Sequence, residues 1–409
     1  MEELPSHIMV DILSRLPVKT IVHCNCVCKS WRDLVSDSHF ADIHLLRSPA
    51  GLMIHHMKDM RHGLDIPGVL RWVEIKDELD HQRLHHDPVM NLDLGLAPVL
   101  RDAKLLQVGS VNGLMCFWEF GPNSDNTYIC NPITREYLSL PRKKYYKDGH
   151  ANGVIIYGFG VGLQTKEYKV IRTFRGRIPP KPCETSRQSL GLQNLVQEAE
   201  VYTIGTGQWR SLGHVPYCLS GQHGPFLNGN AHWFLLDKDS REKLFTFNFD
   251  KETFQLFPSP PCDAMDDEEI DCQSLSVLKG CLCQCDTYYA EEFRFWVMKE
   301  YGVKKSWHKV VVIATSVNRG PDWELWDPVY PPEGLNSPVR LNWDPVYPVE
   351  GLNDGSILMV YYGQLLFKCC LETKTIETTE LFERYFNAIA YRPSFLRLER
   401  FESERAQVF

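Results

Sequence analysis

Residues 4–40 constrain this chain more than any other stretch. Three short amphipathic helical patterns crowd into them, ahead of a much longer β-rich sequence. The first runs over residues 6–16, where Ile8, Met9, Ile12, Leu13 and Leu16 recur at helical spacing and Ser6 is placed as a cap. Pro17 ends it, because proline disfavours helical geometry in the residue before it. The second pattern covers residues 18–26 through Val18, Ile21 and Val22, and the third carries Val27, Trp31, Leu34 and Val35 on one face. So small a unit buries little core of its own, which leaves large apolar side chains for a partner.

Composition supplies the rest of a soluble protein. With 409 residues, 44% of them hydrophobic and 23% charged, the chain has material for one small module and one large domain. A net charge of −8 does not favour nucleic acid or an anionic membrane as a partner. Met1-Glu2-Glu3-Leu4-Pro5 lacks the basic and apolar regions of a signal peptide, and no apolar run reaches bilayer-spanning length. An intracellular protein is expected, and the fourteen cysteines then read as reduced thiols. Cys281, Cys283 and Cys285 alternate along a strand-like stretch and project to one face of a sheet. No Cys-x-x-Cys pair of a zinc site is present. The segment 47–100 is rich in histidine (His55, His56, His62, His81, His85, His86), but no periodicity gathers these around His85-His86-Asp87. No metal and no cofactor are expected.

From about residue 101 short strands alternate with turns. Residues 105–111 and 114–120 flank Asn112-Gly113, a hairpin signal because both residues tolerate positive φ. Strand patterns follow at 127–130, 137–140, 154–160, 168–173, 200–204, 231–236, 244–249, 276–285, 293–298, 308–314, 357–361 and 364–370. The one competing helical pattern covers residues 379–386. Gln208-Trp209-Arg210 and Ser306-Trp307-His308 read as outer strands of propeller blades, and about 45–50 residues per blade predicts six or seven blades. Blades closed into a ring leave only short, protected sheet edges.

Three further features need weighing. Gly158-Phe159-Gly160-Val161-Gly162 has the look of a phosphate loop, but no helix pattern follows to supply the N-terminus such a loop needs. Trp326-Asp327-Pro328-Val329-Tyr330-Pro331-Pro332-Glu333-Gly334-Leu335-Asn336 recurs from Trp343 to Asn353, an offset of seventeen residues, too short for a blade. Residues 263–271 are acidic, whereas 142–144 and 172–181 are basic; both read as solvated loop ends.

The N-terminal layout resembles the F-box. The matching residues are Leu4-Pro5, Ile12-Leu13-Ser14-Arg15-Leu16-Pro17-Val18-Lys19, Val27-Cys28-Lys29-Ser30-Trp31-Arg32 and Phe40. The longer region resembles the plant F-box-associated domain. It does so through Gly109-Ser110-Val111-Asn112-Gly113-Leu114, Cys130-Asn131-Pro132-Ile133-Thr134-Arg135-Glu136, Tyr157-Gly158-Phe159-Gly160, Asn228-Gly229-Asn230-Ala231-His232-Trp233 and Phe295-Trp296-Val297-Met298. One departure is Gly162-Leu163-Gln164-Thr165, where the family often places an aspartate in the turn.

The resemblance implies an α+β multidomain chain. It comprises a three-helix F-box at 1–46, a linker and leading strand at 47–100, a mostly antiparallel, kelch-like β-propeller at 101–400, and a tail at 401–409. It also implies a plant protein of cytoplasm or nucleus that recognises substrates for an SCF-type ubiquitin ligase. The F-box would hold a Skp-type adaptor, and through it cullin and RING subunits, while the β domain holds a target protein. By resemblance, Leu4, Pro5, Ile8, Ile12, Leu13, Leu16, Pro17, Val27, Cys28 and Trp31 belong to the adaptor interface or to the packing behind it. No catalytic or substrate-binding residue is singled out, and an enzyme is not expected. The alternatives are an F-box scaffold or sensor acting without ubiquitin transfer, and a kelch-type propeller enzyme.

Overall fold

Two prolines set the geometry of the N-terminal helices. Pro5 and Pro17 are the N-cap residues of α1 (Ser6–Leu13) and α2 (Val18–Cys24), with φ of −55° and −57°. The Pro5 carbonyl accepts from the N–H groups of Ile8 and Met9, and that of Pro17 from Ile21. Ser6 is therefore the first helical residue and not the cap. Cys28 caps α3 (Lys29–Val35), its Sγ accepting from the Trp31 N–H at 3.5 Å. A fourth helix, α4 (Ser38–Arg47), follows where three were expected, capped by Asp37 accepting from the His39 N–H at 2.8 Å. Its apolar signal is thin: Phe40, Ala41 and a histidine, His44, are its buried residues.

The structure, a computed structural model, describes residues 4–56, 69–74, 90–93, 105–119, 126–142, 154–177, 195–221, 223–236, 243–261, 270–288, 292–314, 346–361, 365–379, 386–401 and 406–408. His85-His86-Asp87, the acidic residues 263–269 and the first copy of the tandem repeat lie outside these residues.

Six sheets follow the helices. The first contains β1 (Gly51–His56), β2 (Val69–Glu74) and β3 (Met90–Asp93). The second contains β4 (Leu105–Val111), β5 (Leu114–Glu119), β6 (Thr127–Asn131) and β7 (Glu136–Ser139), and the third β8 (Val154–Val161), β9 (Tyr168–Arg177), β10 (Leu195–Thr203) and β11 (Trp209–Val215). Three two-residue strands come next: β12 (Leu219–Ser220), β13 (His223–Gly224) and β14 (Phe226–Leu227). β13 runs parallel to β8, while β12 and β14 pair with β15 (Asn230–Leu235), which continues the fourth sheet into β16 (Leu244–Asn248) and β17 (Thr253–Phe257). The fifth sheet is β18 (Ile270–Leu278), β19 (Cys281–Tyr288), β20 (Glu292–Met298) and β21 (Trp307–Ala314). The sixth is β22 (Val346–Gly351), β23 (Ile357–Tyr361), β24 (Leu365–Cys370) and β25 (Thr375–Thr379). Finally, β26 (Phe386–Tyr391) returns to pair with β1, and β27 (Gln407–Val408) with β7. Apart from β13 on β8, every pairing among the described residues is antiparallel.

The chain divides into two compact units. One holds residues 1–141, 205–207 and 383–409, thus the helices and the first two sheets; the other holds 142–204 and 208–382, thus the remaining four sheets.

In the first unit a single apolar cluster runs from Leu13, Ile21 and Phe40 through Met53, Trp72, Met115 and Phe117 to Tyr391 and Phe395. The segment after β26 is held to the second sheet by a set of polar contacts. The Asn131 amide donates to the carbonyls of Ser394 and Leu396 at 3.0 and 2.7 Å. Glu136, fully buried, accepts from the Leu398 N–H at 2.6 Å and pairs with Arg397 at 2.6 Å. The Tyr391 hydroxyl donates to the Gly113 carbonyl at 3.0 Å. Asn112 and Gly113 take φ of 51° and 81°, the two left-handed positions of a tight hairpin, as the sequence predicts. A side chain at Gly113 would meet Ser394, its backbone N 2.8 Å from the added Cβ.

Residues 47–100 are more than a linker with a leading strand. They supply β1, β2 and β3, and β1 is buried throughout, including His55 and His56. The histidines obscured the strand because they are usually polar, yet here they fill apolar space. Residues 401–409 are likewise more than a tail, since they contribute β27. Of the predicted helix at 379–386, Thr379 closes β25 and Phe386 opens β26; the residues between lie outside the described set.

In the second unit the glycine-rich stretch has a packing role. A Cβ at Gly158 would come within 2.7 Å of Trp233 and 2.8 Å of Ile171, and one at Gly160 would overlap Phe249 and Phe226. The Trp233 indole donates to the Tyr157 carbonyl at 3.2 Å, so the third and fourth sheets meet there without room for side chains. The aspartate missing from the 162–165 turn is replaced from outside it. Asp250, after β16, accepts from the N–H groups of Leu163, Gln164 and Thr165 at 2.8, 3.1 and 2.9 Å. Arg172 is not a solvated loop end: it is buried in β9, 3.2 Å from the Glu200 carboxylate, with its guanidinium 3.8 Å from the Trp209 ring centre.

Three buried histidines couple this fold to pH. His44 lies against Phe395, His55 against Phe117, and His232 against Phe257 and Tyr301; burial pushes each down to about 4. The unfolded chain takes up these protons near pH 6.5, so between pH 6.5 and 4 it binds more of them than the folded chain does. Stability is therefore complete above pH 6.5 and falls by up to about 1.4 kcal/mol per pH unit for each histidine as pH drops towards 4. Urea midpoints at pH 7.0, 5.5 and 4.5 should decline in that order, and His44→Phe should flatten the decline.

Candidate adaptor-docking face

Helix α1 and the residues that flank it present three faces. Met9, Leu13 and Leu16 turn inward, with Leu13 at 1% exposure. Val10 and Asp11 line a groove shared with Leu34 of α3 and Ile43 and Arg47 of α4. Leu4, Ile8 and Ile12, at four-residue spacing, point to solvent with 55%, 38% and 44% exposure. Val27, in the turn between α2 and α3, is 63% exposed.

The ten candidate residues thus separate. Leu4, Pro5, Ile8, Ile12, Pro17, Val27 and Cys28 are exposed; Leu16 and Trp31 are half-buried against the core; Leu13 belongs to the core itself. Leu46 in α4, 81% exposed, is a further apolar side chain that the sequence pattern did not single out, because it stands outside the matched motif. Such exposure is costly in water and is retained where a partner covers it.

Charge fixes the helices behind this face. Arg47 of α4 reaches α1, its guanidinium donating to the Asp11 carboxylate at 2.7 Å and to the Ser14 hydroxyl at 2.6 Å. Arg15 donates to the same carboxylate at 3.0 Å, and these two arginines, Arg15 foremost, hold the Asp11 carboxyl below its usual range. Below, Phe40 and His44 meet the Phe395 ring at 5.8 and 4.9 Å. The helical module is therefore built onto the segment clamped by Asn131 and Glu136.

Residues 1–44 match the F-box-like family, and residues 75–327 match the F-box associated beta propeller domain. The chain belongs to this family of F-box proteins. Its fold is four short helices followed by a six-bladed β-propeller, the lower of the two expected blade counts. Among its relatives in Arabidopsis thaliana, F-box protein At3g07870 is 30% identical, covering 81% of this chain and 77% of that one. F-box/kelch-repeat protein At3g23880 is 27% identical over 76% of this chain and 79% of its own length, and F-box protein CPR1 is 29% identical over 76% and 73%. The F-box implies a Skp-type adaptor as partner, and F-box proteins are generally non-catalytic adaptors.

Among the described residues, no group of three metal-ligating side chains and no membrane-spanning helix is found. Cys283 and Cys285 are buried in β19 beside Cys369, and burial pushes all three thiols up.

Cys28 carries a second task besides exposure, since it caps α3. Thiols are weak acceptors, and serine is the preferred cap. Cys28→Ser should keep α3 intact and raise stability by a few tenths of a kcal/mol, whereas Cys28→Ala should lower it by about 0.5–1 kcal/mol; urea midpoints of the two variants measure the difference.

Proposed function

We propose that this F-box protein is the substrate-recognition subunit of an SCF-type ubiquitin ligase. The observation that carries the reading is the exposed apolar set Leu4, Ile8, Ile12 and Val27 on the F-box, backed by a folded helical core. These residues contact a Skp-type adaptor, which links the chain to cullin and RING subunits. The propeller then holds a target protein, and proximity to a charged conjugating enzyme raises the effective concentration of ubiquitin at the target's lysines. No catalytic residue of its own is needed. The cytoplasm or nucleus, where such ligases work, is the place this reading assigns to it.

The test is co-purification with a Skp-type adaptor and then with cullin. Removing residues 1–46 is a poor control, because it would uncover Phe395 and the sheets beneath α4. Ile8→Asp with Ile12→Asp alters the exposed face alone. Covering the exposed two-fifths of two isoleucines contributes about 1–2.5 kcal/mol, and burying two aspartates in their place adds a desolvation cost of about that size or more, so the pair should weaken adaptor binding by about 100-fold or more while the melting temperature holds. Leu13→Asp should instead unfold the module. Failure of the unsubstituted chain to bind any Skp-type adaptor would sink the reading.

A further inference from the structure

The four sheets of the second unit bring their short turns together. Alternate turns of an antiparallel sheet stand at one end of it, so 228–229 shares an end with 249–252, 279–280 with 299–306, and 352–356 with 371–374. Contacts join these ends from sheet to sheet. Asp250 accepts from the N–H groups of residues 163–165, and Leu163 rests against Gly229, its Cγ 3.0 Å from where a Cβ there would stand. The Tyr301 hydroxyl is 2.8 Å from His232 Nε2, and the Lys279 ammonium donates to the Leu352 carbonyl at 2.8 Å. The turns therefore form one continuous surface.

Lysine occupies strained positions on this surface. Lys166, Lys279 and Lys374 take φ of 58°, 47° and 57°, left-handed backbone that suits glycine and asparagine better. The first hairpin of the fourth sheet meets the same demand with Asn228-Gly229, at 49° and 73°, where the fifth has Lys279-Gly280, at 47° and 77°. Both turns close alike, so the backbone does not call for the lysine, and strain kept without a structural return marks function. Lys251, Lys299 and Lys305 are exposed on the same turns. Most carboxylates here are already engaged. Glu167 and Glu252 pair with Lys169 at 2.8 and 2.9 Å, Asp354 pairs with Lys368 at 2.6 Å, and Asp250 holds its three N–H groups. Among the described residues of these turns, Glu300 and Glu372 are the exceptions. A chain of net charge −8 thus turns a positive surface outward. Two large apolar side chains stand among the lysines, Leu163 at 51% and Val303 at 43% exposure. The Val303 turn is held from behind by the buried Ser306 hydroxyl, 2.8 and 2.7 Å from the carbonyls of Glu300 and Val303.

We propose that this surface is where the target protein docks, and that it takes an acidic segment bearing large apolar side chains. The proposal rests on the substrate-recognition reading above and adds the chemistry of the target to it. Charge complementarity selects the acidic partner, and Leu163 and Val303 supply the apolar contact that a specific interface needs. The two turns of one sheet stand about 10 Å apart, two strand spacings. About three residues of extended chain cover that distance, so carboxylates three residues apart in the target meet successive turns.

The probe is a fluorescein-labelled peptide of glutamates interrupted by two leucines, titrated into the full chain at low salt with anisotropy as the readout. It should bind, and a peptide with lysine in place of glutamate should not. Lys166→Asn, Lys279→Asn and Lys374→Asn combined should weaken binding by about tenfold, while the melting temperature holds or rises because asparagine suits those backbones. Lysines kept for the fold would lose stability instead. Lys299→Gln with Lys305→Gln, both exposed and outside the left-handed positions, repeats the comparison should the first variant fold poorly. No binding by the unsubstituted chain, or equal binding by chain and variants, would overturn the proposal. Tighter binding of a thymidine oligonucleotide than of the peptide would overturn it in favour of nucleic acid. Adaptor co-purification keeps the two readings apart. A chain that binds the peptide but no Skp-type adaptor loses the ligase reading and keeps the acidic-segment site, whereas the reverse result removes this docking surface alone.

Discussion

The clamp on residues 391–398 is the contact on which the rest of the first unit depends. Asn131 and Glu136 are fully buried polar side chains, and each bonds the backbone of this one segment, Glu136 also pairing with its Arg397 side chain. A buried carboxylate that loses its partners incurs a large desolvation cost, so the segment has one acceptable place. That place sets Phe395 beneath Phe40 and His44, and so sets where the F-box stands. The arrangement translates two hydrogen-bonding side chains on a sheet into the position of a four-helix module.

The F-box in turn illustrates the limit on small units. Its inward residues, Leu13, Val18, Ile21, Cys24, Val35 and Phe40, do not form a core by themselves; they join one that continues into the first two sheets. Borrowing a core in this way releases Leu4, Ile8 and Ile12 from structural duty, so α1 can be apolar on two sides with one of them left to solvent.

Much of this was legible in the residues, and the failures have physical causes. Asn112-Gly113 announced its hairpin because only a few residue types accept positive φ twice in succession, and Trp209 and Trp307 do begin edge strands of their sheets. Pro5 and Pro17 mark helix starts, although Ser6 has the side chain of a cap, because side-chain chemistry alone does not show which residue leaves helical geometry first. β1 is hidden by His55 and His56, since a buried histidine is indistinguishable in sequence from a solvated one. α4 was hidden for a similar reason, its inward face being finished by His44. The docking face was legible as a motif, but whether Leu13 or Ile12 faces outward depends on a core contributed by residues far along the chain. The return of β26 to β1 leaves no local signal, because strand pairing over that separation has no counterpart in neighbouring residues.

That return also orders events during synthesis. A ribosome releases Phe40 and His44 about 350 residues before Phe395, so the helices wait through the synthesis of the intervening sheets for the ring that packs against them. A product that stops before β26 lacks the partner strand of β1, the ligands of Asn131 and Glu136, and the floor of the F-box together. Completion of the adaptor-facing end is thus certified by residues 386–398, and a chain truncated before them is disqualified in its helices by what is missing several hundred residues later.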